Sequence, residues 1–127
     1  MRHVITTDKA PAAIGSYSQA VRAGNTVYLA GQIPLDPISL EMIKGDLRQQ
    51  INQVFDNIKM VVEAAGGTLD DVVKLTVYLI DLSVVTLVND AIASYFKQPF
   101  PARTTIQVSA LPKGAAVEIE AIMVAKS

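Results

Sequence analysis

Arg103 is the residue of this sequence best suited to hold an anion. It follows a proline-rich turn through Pro99 and Pro101 and opens a run to Val108 that reads as a strand. Alternation puts Arg103, Thr105 and Gln107 on one side and Thr104, Ile106 and Val108 on the other. A guanidinium at a strand mouth, beside a small hydroxyl, matches a planar carboxylate and grips it through two parallel charge-assisted hydrogen bonds. The same residue serves as well in a surface or interface salt bridge, and taken alone that structural reading comes first. Glu118 and Glu120 lie in the apolar run Val117 to Val124 and share one face, about 7 Å apart at strand rise. A desolvated carboxylate there rises in pKa and becomes competent for proton transfer. Two solvated carboxylates, or two paired with lysines, fit the pattern equally.

Two further side chains stand where they could line a cleft. Tyr17 follows Gly15 in Ile14-Gly15-Ser16-Tyr17-Ser18-Gln19-Ala20, where a turn can aim a phenol outward, although core packing is the commoner fate of tyrosine. Asn89 sits inside a predicted helix, a poor place for asparagine unless its amide bonds elsewhere. Other chemistries are excluded. The chain has no cysteine, so thiolate zinc sites, disulfides and a cysteine nucleophile are out. With His3 the lone histidine, read as a surface residue near the chain end, a transition-metal site is not expected. Gly24, Gly31 and Gly45 are scattered and form no phosphate-cradling loop.

The elements that must position these residues follow from periodicity. Residues 26–30 read as a strand, with 18–22 as its hairpin partner across Ala23-Gly24-Asn25. Residues 31–45 hold two prolines and no period and read as a loop. Residues 46–65 form the clearest helix. Leu47, Ile51, Val54, Ile58, Val61, Val62 and Ala65 make its apolar face, Asp46 caps it and Gly66-Gly67 stops it. A strand over 72–80 places Val73, Leu75, Val77 and Leu79 on one side. A second helix over 83–97 turns Val84, Val88, Ala91, Ile92, Tyr95 and Phe96 inward, and strands over 103–108 and 116–125 complete the order. A strand-helix-strand unit leaves its strands parallel, so the expected fold is α+β: one mixed sheet with two helices on one face, in a single domain over 1–127.

Composition bears on assembly and partners. Half the residues are hydrophobic and the mean hydropathy is +0.33. So much apolar surface on 127 residues points to an oligomer, as does a second sheet face poor in charge. A net charge of −1 and a pI near 5.7 leave no basic field for nucleic acid or an anionic membrane. No run approaches a membrane span and no signal-peptide pattern opens the chain, which predicts a cytoplasmic protein.

Several of these segments resemble the RidA/YjgF family of imine deaminases. Gly15-Ser16-Tyr17-Ser18-Gln19-Ala20, Gly31-Gln32-Ile33-Pro34, Val88-Asn89, Phe100-Pro101-Ala102-Arg103 and Val117-Glu118-Ile119-Glu120-Ala121 occur in the family's order and near its spacing. The Pro-Ala-Arg segment with the later Glu-rich strand is the specific part. The resemblance implies a chorismate-mutase-like α+β fold with a mixed six-stranded sheet, assembled as a homotrimer with clefts between subunits. It implies hydrolysis of reactive 2-imino acids or their enamines (2-aminoacrylate, 2-iminopropanoate, 2-iminobutanoate) to 2-keto acids and ammonia, with neither cofactor nor metal.

Carried onto this chain, Arg103 grips the substrate carboxylate with help from the backbone of Gly31 and Thr105. Glu118 activates the attacking water, and Tyr17 and Asn89 line the cleft. The chain departs from the family in three places. Ala30 stands where many members have serine, Thr105 where many have cysteine, and Thr104 where a smaller residue is usual. The missing serine keeps open a second reading, a trimeric small-molecule-binding or regulatory protein with little catalysis. A ribonuclease role, attached to some members, is disfavoured by the acidic pI and the lack of a histidine suited to acid–base work.

Overall fold

The computed structural model describes residues 1–126; Ser127, the last residue of the expected domain, lies outside them. The strands are β1 (Arg2–Ile5), β2 (Ala20–Ala23), β3 (Thr26–Gln32), β4 (Val72–Leu79), β5 (Ala102–Gln107) and β6 (Val117–Val124). The helices are α1 (Leu47–Ala64), between β3 and β4, and α2 (Val85–Tyr95), between β4 and β5. The strands form one mixed sheet in the order β1-β2-β3-β6-β4-β5. β6 runs antiparallel to both β3 and β4, so those two are parallel to each other, and β4 pairs with β5 in parallel. Each helix is thus the crossover between two parallel strands, as a strand-helix-strand order requires.

The α1 helix forms for legible reasons. Asp46 and Gln49 make a reciprocal capping box, with Gln49 N–H donating to Asp46 Oδ1 at 2.9 Å and Asp46 N–H to Gln49 Oε1 at 2.9 Å. The other end closes in a Schellman arrangement: Gly66 N–H donates to Glu63 O and Gly67 N–H to Val62 O, with Gly66 at φ 89°. Between these caps Ile51, Val54, Phe55, Ile58, Val61 and Val62 are fully buried, each contributing about 1.5–3 kcal/mol. They meet Val27 and Leu29 of β3, Leu75, Val77 and Leu79 of β4, and Val117, Ile119, Ala121 and Met123 of β6. Phe55 also packs against Tyr95 and edge-on against Phe96, at centroid distances of 5.3 and 5.7 Å, which seats α2 beside α1.

Alternation sends the remaining side chains of the sheet the other way. Thr76 and Tyr78 of β4 and Glu118, Glu120 and Ile122 of β6 are only half-buried, on the face onto which neither helix packs. The hairpin turns at Gly24-Asn25, with Gly24 at φ 63°, and its first strand begins at Ala20 rather than at residue 18.

Two further details correct the sequence expectation. β1 pairs antiparallel with β2, yet Arg2, His3 and Val4 are exposed, so no alternation marked it. Val73 faces out at 46% exposure, because β4 bulges against β6 between Val72 and Lys74 and Val72 takes the inward place.

Candidate active site

Glu118 and Gly31 form the floor of a cleft of about 390 Å³. Its walls come from the segment carrying Pro11, Ala12, Ile14 and Tyr17, and from Ile33, Leu35 and Lys113. A bulge makes the floor. Leu29 pairs with Ala121 and Gln32 with Ile119, so β3 carries one residue more than β6 between these pairs, at Ala30-Gly31. Gly31 is required by contact rather than by φ: a Cβ there would stand 2.9 Å from the Glu118 carboxyl carbon and closer still to one of its oxygens. The carboxylate therefore rests on bare backbone. Burial raises its pKa, and the neighbouring charge of Glu120 raises it further.

Alternation left the two glutamates equivalent; the structure separates them. Tyr78 O–H donates to Glu120 Oε1 at 3.1 Å, and Glu120 does not line the cleft. Burial and the Glu120 carboxylate in turn hold the Tyr78 phenol above its ordinary pKa. Tyr17 is half-exposed at the rim, its phenol oxygen accepting from Ile14 N–H at 3.3 Å, which leaves its own proton available for donation.

Arg103 lies elsewhere. Its register partner on β4 is Leu75, a core residue, so Arg103 emerges on the helix-bearing face at the edge of the sheet. It opens onto a recess of about 410 Å³ with Asn89, Phe100 and Pro101. Arg103 Nη1 donates to Asn89 Oδ1 at 2.7 Å, which accounts for an asparagine within α2. Arg103 makes no salt bridge within the chain: among the described residues the one ion pair is Lys126–Asp71 at 3.9 Å. Within the chain the guanidinium is thus oriented by a neutral amide. Thr105 shares the Arg103 face and does not line the recess; its Oγ1 is buried and has no hydrogen-bond partner among the described residues.

The six expected site residues therefore fall into two groups within one chain. Tyr17, Gly31 and Glu118 share the first cleft; Arg103 and Asn89 share the second recess, with Thr105 next along its strand. No cluster of three or more histidine, cysteine or acidic side chains able to hold a metal occurs among the described residues. His3 is exposed on β1 and lines neither cleft. Sequence reasoning missed Lys113, which lines the first cleft from a left-handed backbone position at φ 56°. Its neighbour Gly114 was the only signal of an unusual turn.

A mixed six-stranded sheet with two helices on one face defines the architectural class. Comparison with known proteins makes it specific. The family model described as Endoribonuclease L-PSP matches residues 7–125, and the chain belongs to that family, the RidA/YjgF family. The crystal structure of RidA from the Antarctic bacterium Psychrobacter sp. PAMC 21119 is 52% identical, with a TM-score of 0.92 over 96% of this chain and 98% of that one. A protein of Bos taurus named 2-iminobutanoate/2-iminopropanoate deaminase is 48% identical over 98% of this chain and 90% of its own length. The crystal structure of E. coli TdcF with bound serine is 38% identical, with a TM-score of 0.92 over 98% of this chain and 99% of that one. No helix among the described residues is long and apolar enough to cross a membrane.

Proposed function

We propose that this chain is a deaminase of reactive 2-imino acids, working as a homotrimer whose active sites lie between subunits. The observation that carries the reading is Arg103: a guanidinium aimed by Asn89, with no carboxylate partner among the described residues, at the mouth of a recess. In the assembly Arg103 of one copy faces Tyr17, Gly31 and Glu118 of the next. Arg103 grips the carboxylate of the imine, helped by the backbone N–H groups of Gly31 and Thr105. The Glu118 carboxylate, made more basic by burial, takes a proton from the attacking water as the oxygen bonds to the imine carbon. Glu118 returns the proton to the nitrogen of the tetrahedral carbinolamine; the C–N bond then breaks as the C=O bond forms, the hydroxyl proton passes back through Glu118 to the departing ammonia, and a 2-keto acid and ammonium leave. An enamine such as 2-aminoacrylate enters once protonated at its terminal carbon. A protonated imine is already electrophilic, so positioning and one acid–base group supply the chemistry.

Arg103 gives a chain of net charge −1 a local cation suited to a small anionic substrate, and Lys113 lines the other cleft. An endoribonuclease role, which the family description carries, lacks both a basic surface and a placed histidine here. The test is to generate 2-iminobutanoate in the cuvette with a PLP-dependent threonine dehydratase and to follow ammonia release. Purified protein at catalytic concentration is expected to speed it severalfold. Binding of 2-oxobutanoate with no change in rate would instead establish the small-molecule-binding alternative.

A further inference from the structure

Gln19 is one of three buried polar residues among those described, the others being Gln32 and Asn57. The chemistry above gives it no task. Its side chain is saturated by a segment eight to twelve residues upstream: Oε1 accepts from Thr7 N–H at 2.8 Å, and Nε2 donates to Pro11 O at 2.8 Å and Thr7 O at 3.0 Å, with Ala10 O at 3.3 Å. Its backbone carbonyl accepts from Ala30 N–H at 2.9 Å, the residue before Gly31. One residue thus joins the floor of the Glu118 cleft to the wall of Pro11, Ala12, Ile14 and Tyr17.

Ala10 and Pro11 are buried, but from Ala12 to Tyr17 the wall lies at the surface. The other side-chain hydrogen bonds of residues 7–18 are local, from Lys9 N–H to Thr7 Oγ1 and from Ile14 N–H to the Tyr17 phenol. Every long-range side-chain hydrogen bond of the segment runs through the Gln19 carboxamide. An irregular segment without a strand ladder opens easily, and a buried, fully satisfied amide is the kind of contact that prevents it.

We infer that Gln19 is a positioning residue for the deamination: its carboxamide fixes the Pro11–Tyr17 wall at the spacing from Gly31 and Glu118 that the reaction needs. The inference deepens the deaminase reading and rests on it. Gln19→Leu keeps the volume but removes the partner of Thr7 N–H and of the carbonyls of Thr7, Ala10 and Pro11. Gln19→Glu keeps the shape but turns a carboxylate toward the carbonyls of Thr7 and Pro11.

The test measures kcat and KM of both variants per folded protein, and records the NMR signals of Ile14 and the Tyr17 ring. Both variants are expected to lose about tenfold or more in kcat with KM within about threefold, because the carboxylate anchor is untouched. The Ile14 and Tyr17 signals broaden while those of Phe55 in the core stay sharp. Where Gln19→Leu does not fold, Gln19→Asn, which keeps the amide but not its reach, carries the same comparison. A folded variant with kcat within about twofold of wild type overturns the proposal, as does a lost kcat with Ile14 and Tyr17 signals unchanged. Wild type tests the deaminase reading separately. If it fails to deaminate, Gln19 is decided by the spectra alone: unchanged Ile14 and Tyr17 signals overturn its role and broadened ones support it.

Discussion

Arg103 and Glu118 lie on opposite faces of one sheet. Arg103 is in register with Leu75, beneath the helices, whereas Glu118 is in register with Tyr78, on the face the helices leave open. Leu75 and Tyr78 are three residues apart on one regular stretch of β4, and strand alternation sends them apart. A carboxylate anchor and a water-activating base separated in this way do not reach one small substrate within a single chain. The proposed chemistry is therefore tied to assembly.

Arg103→Ala should fold normally, since Arg103 is exposed and bonds only to Asn89. It should lower kcat/KM for imine hydrolysis by about 10- to 100-fold, the worth of a charge-assisted pair of about 1.5–3 kcal/mol. Arg103→Lys should recover little, because an ammonium offers no planar fork. Steady-state kinetics with dehydratase-generated imine, alongside the melting temperature, decide the point. An unchanged kcat/KM in the Ala variant removes Arg103 from the site.

Glu118→Gln should cost about 100-fold or more in kcat. It should also raise the melting temperature at neutral pH. The pKa of Glu118 is raised in the folded protein, so between the ordinary value and the raised one the folded state holds more protons than the unfolded state. Stability contributed by this group is present in full below its unfolded pKa and is lost as pH rises through the folded pKa; the amide never pays that penalty. Wild-type activity has the opposite dependence, falling as pH drops through the raised pKa and protonates the base. Calorimetry and a pH–rate profile on both proteins test the two signs together.

Gly31→Ala should reduce kcat by about tenfold or more with a small effect on folding. The backbone φ of Gly31 is not in the left-handed region, so alanine is tolerated conformationally, but its Cβ takes the space of the Glu118 carboxylate. A double variant, Gly31→Ala with Glu118→Gln, should be no slower than Glu118→Gln alone, because the glycine acts through that carboxylate.

Much of this was legible in the sequence, and the rest was hidden for physical reasons. The α1 boundaries follow from Asp46, a 3.6-residue period and Gly66-Gly67, all local signals. The face of Arg103, Thr105 and Gln107 follows from strict alternation along β5. Alternation fails where the ladder slips, which is why Val73 departs from the side it is expected to share with Leu75, Val77 and Leu79 and why alternation does not reveal the Ala30-Gly31 bulge beneath Glu118. β1 lacks a buried face of its own and borrows its order from β2. The family motif contained Gln19, but a glutamine bonded to carbonyls about ten residues away carries no periodic signature. The unlike fates of Glu118 and Glu120 turn on Tyr78, 42 residues before Glu120, which only pairing in the sheet reveals.

Subunit complementation tests the central claim most directly. Arg103→Ala and Glu118→Gln, each nearly inactive alone, are mixed in equal amounts, dissociated and allowed to reassemble. If each site takes Arg103 from one copy and Glu118 from the next, about a quarter of the sites in random assemblies carry both intact residues. The mixture should then recover about a quarter of wild-type activity. A mixture that reassembles yet stays as inactive as its components would contradict a site shared between chains.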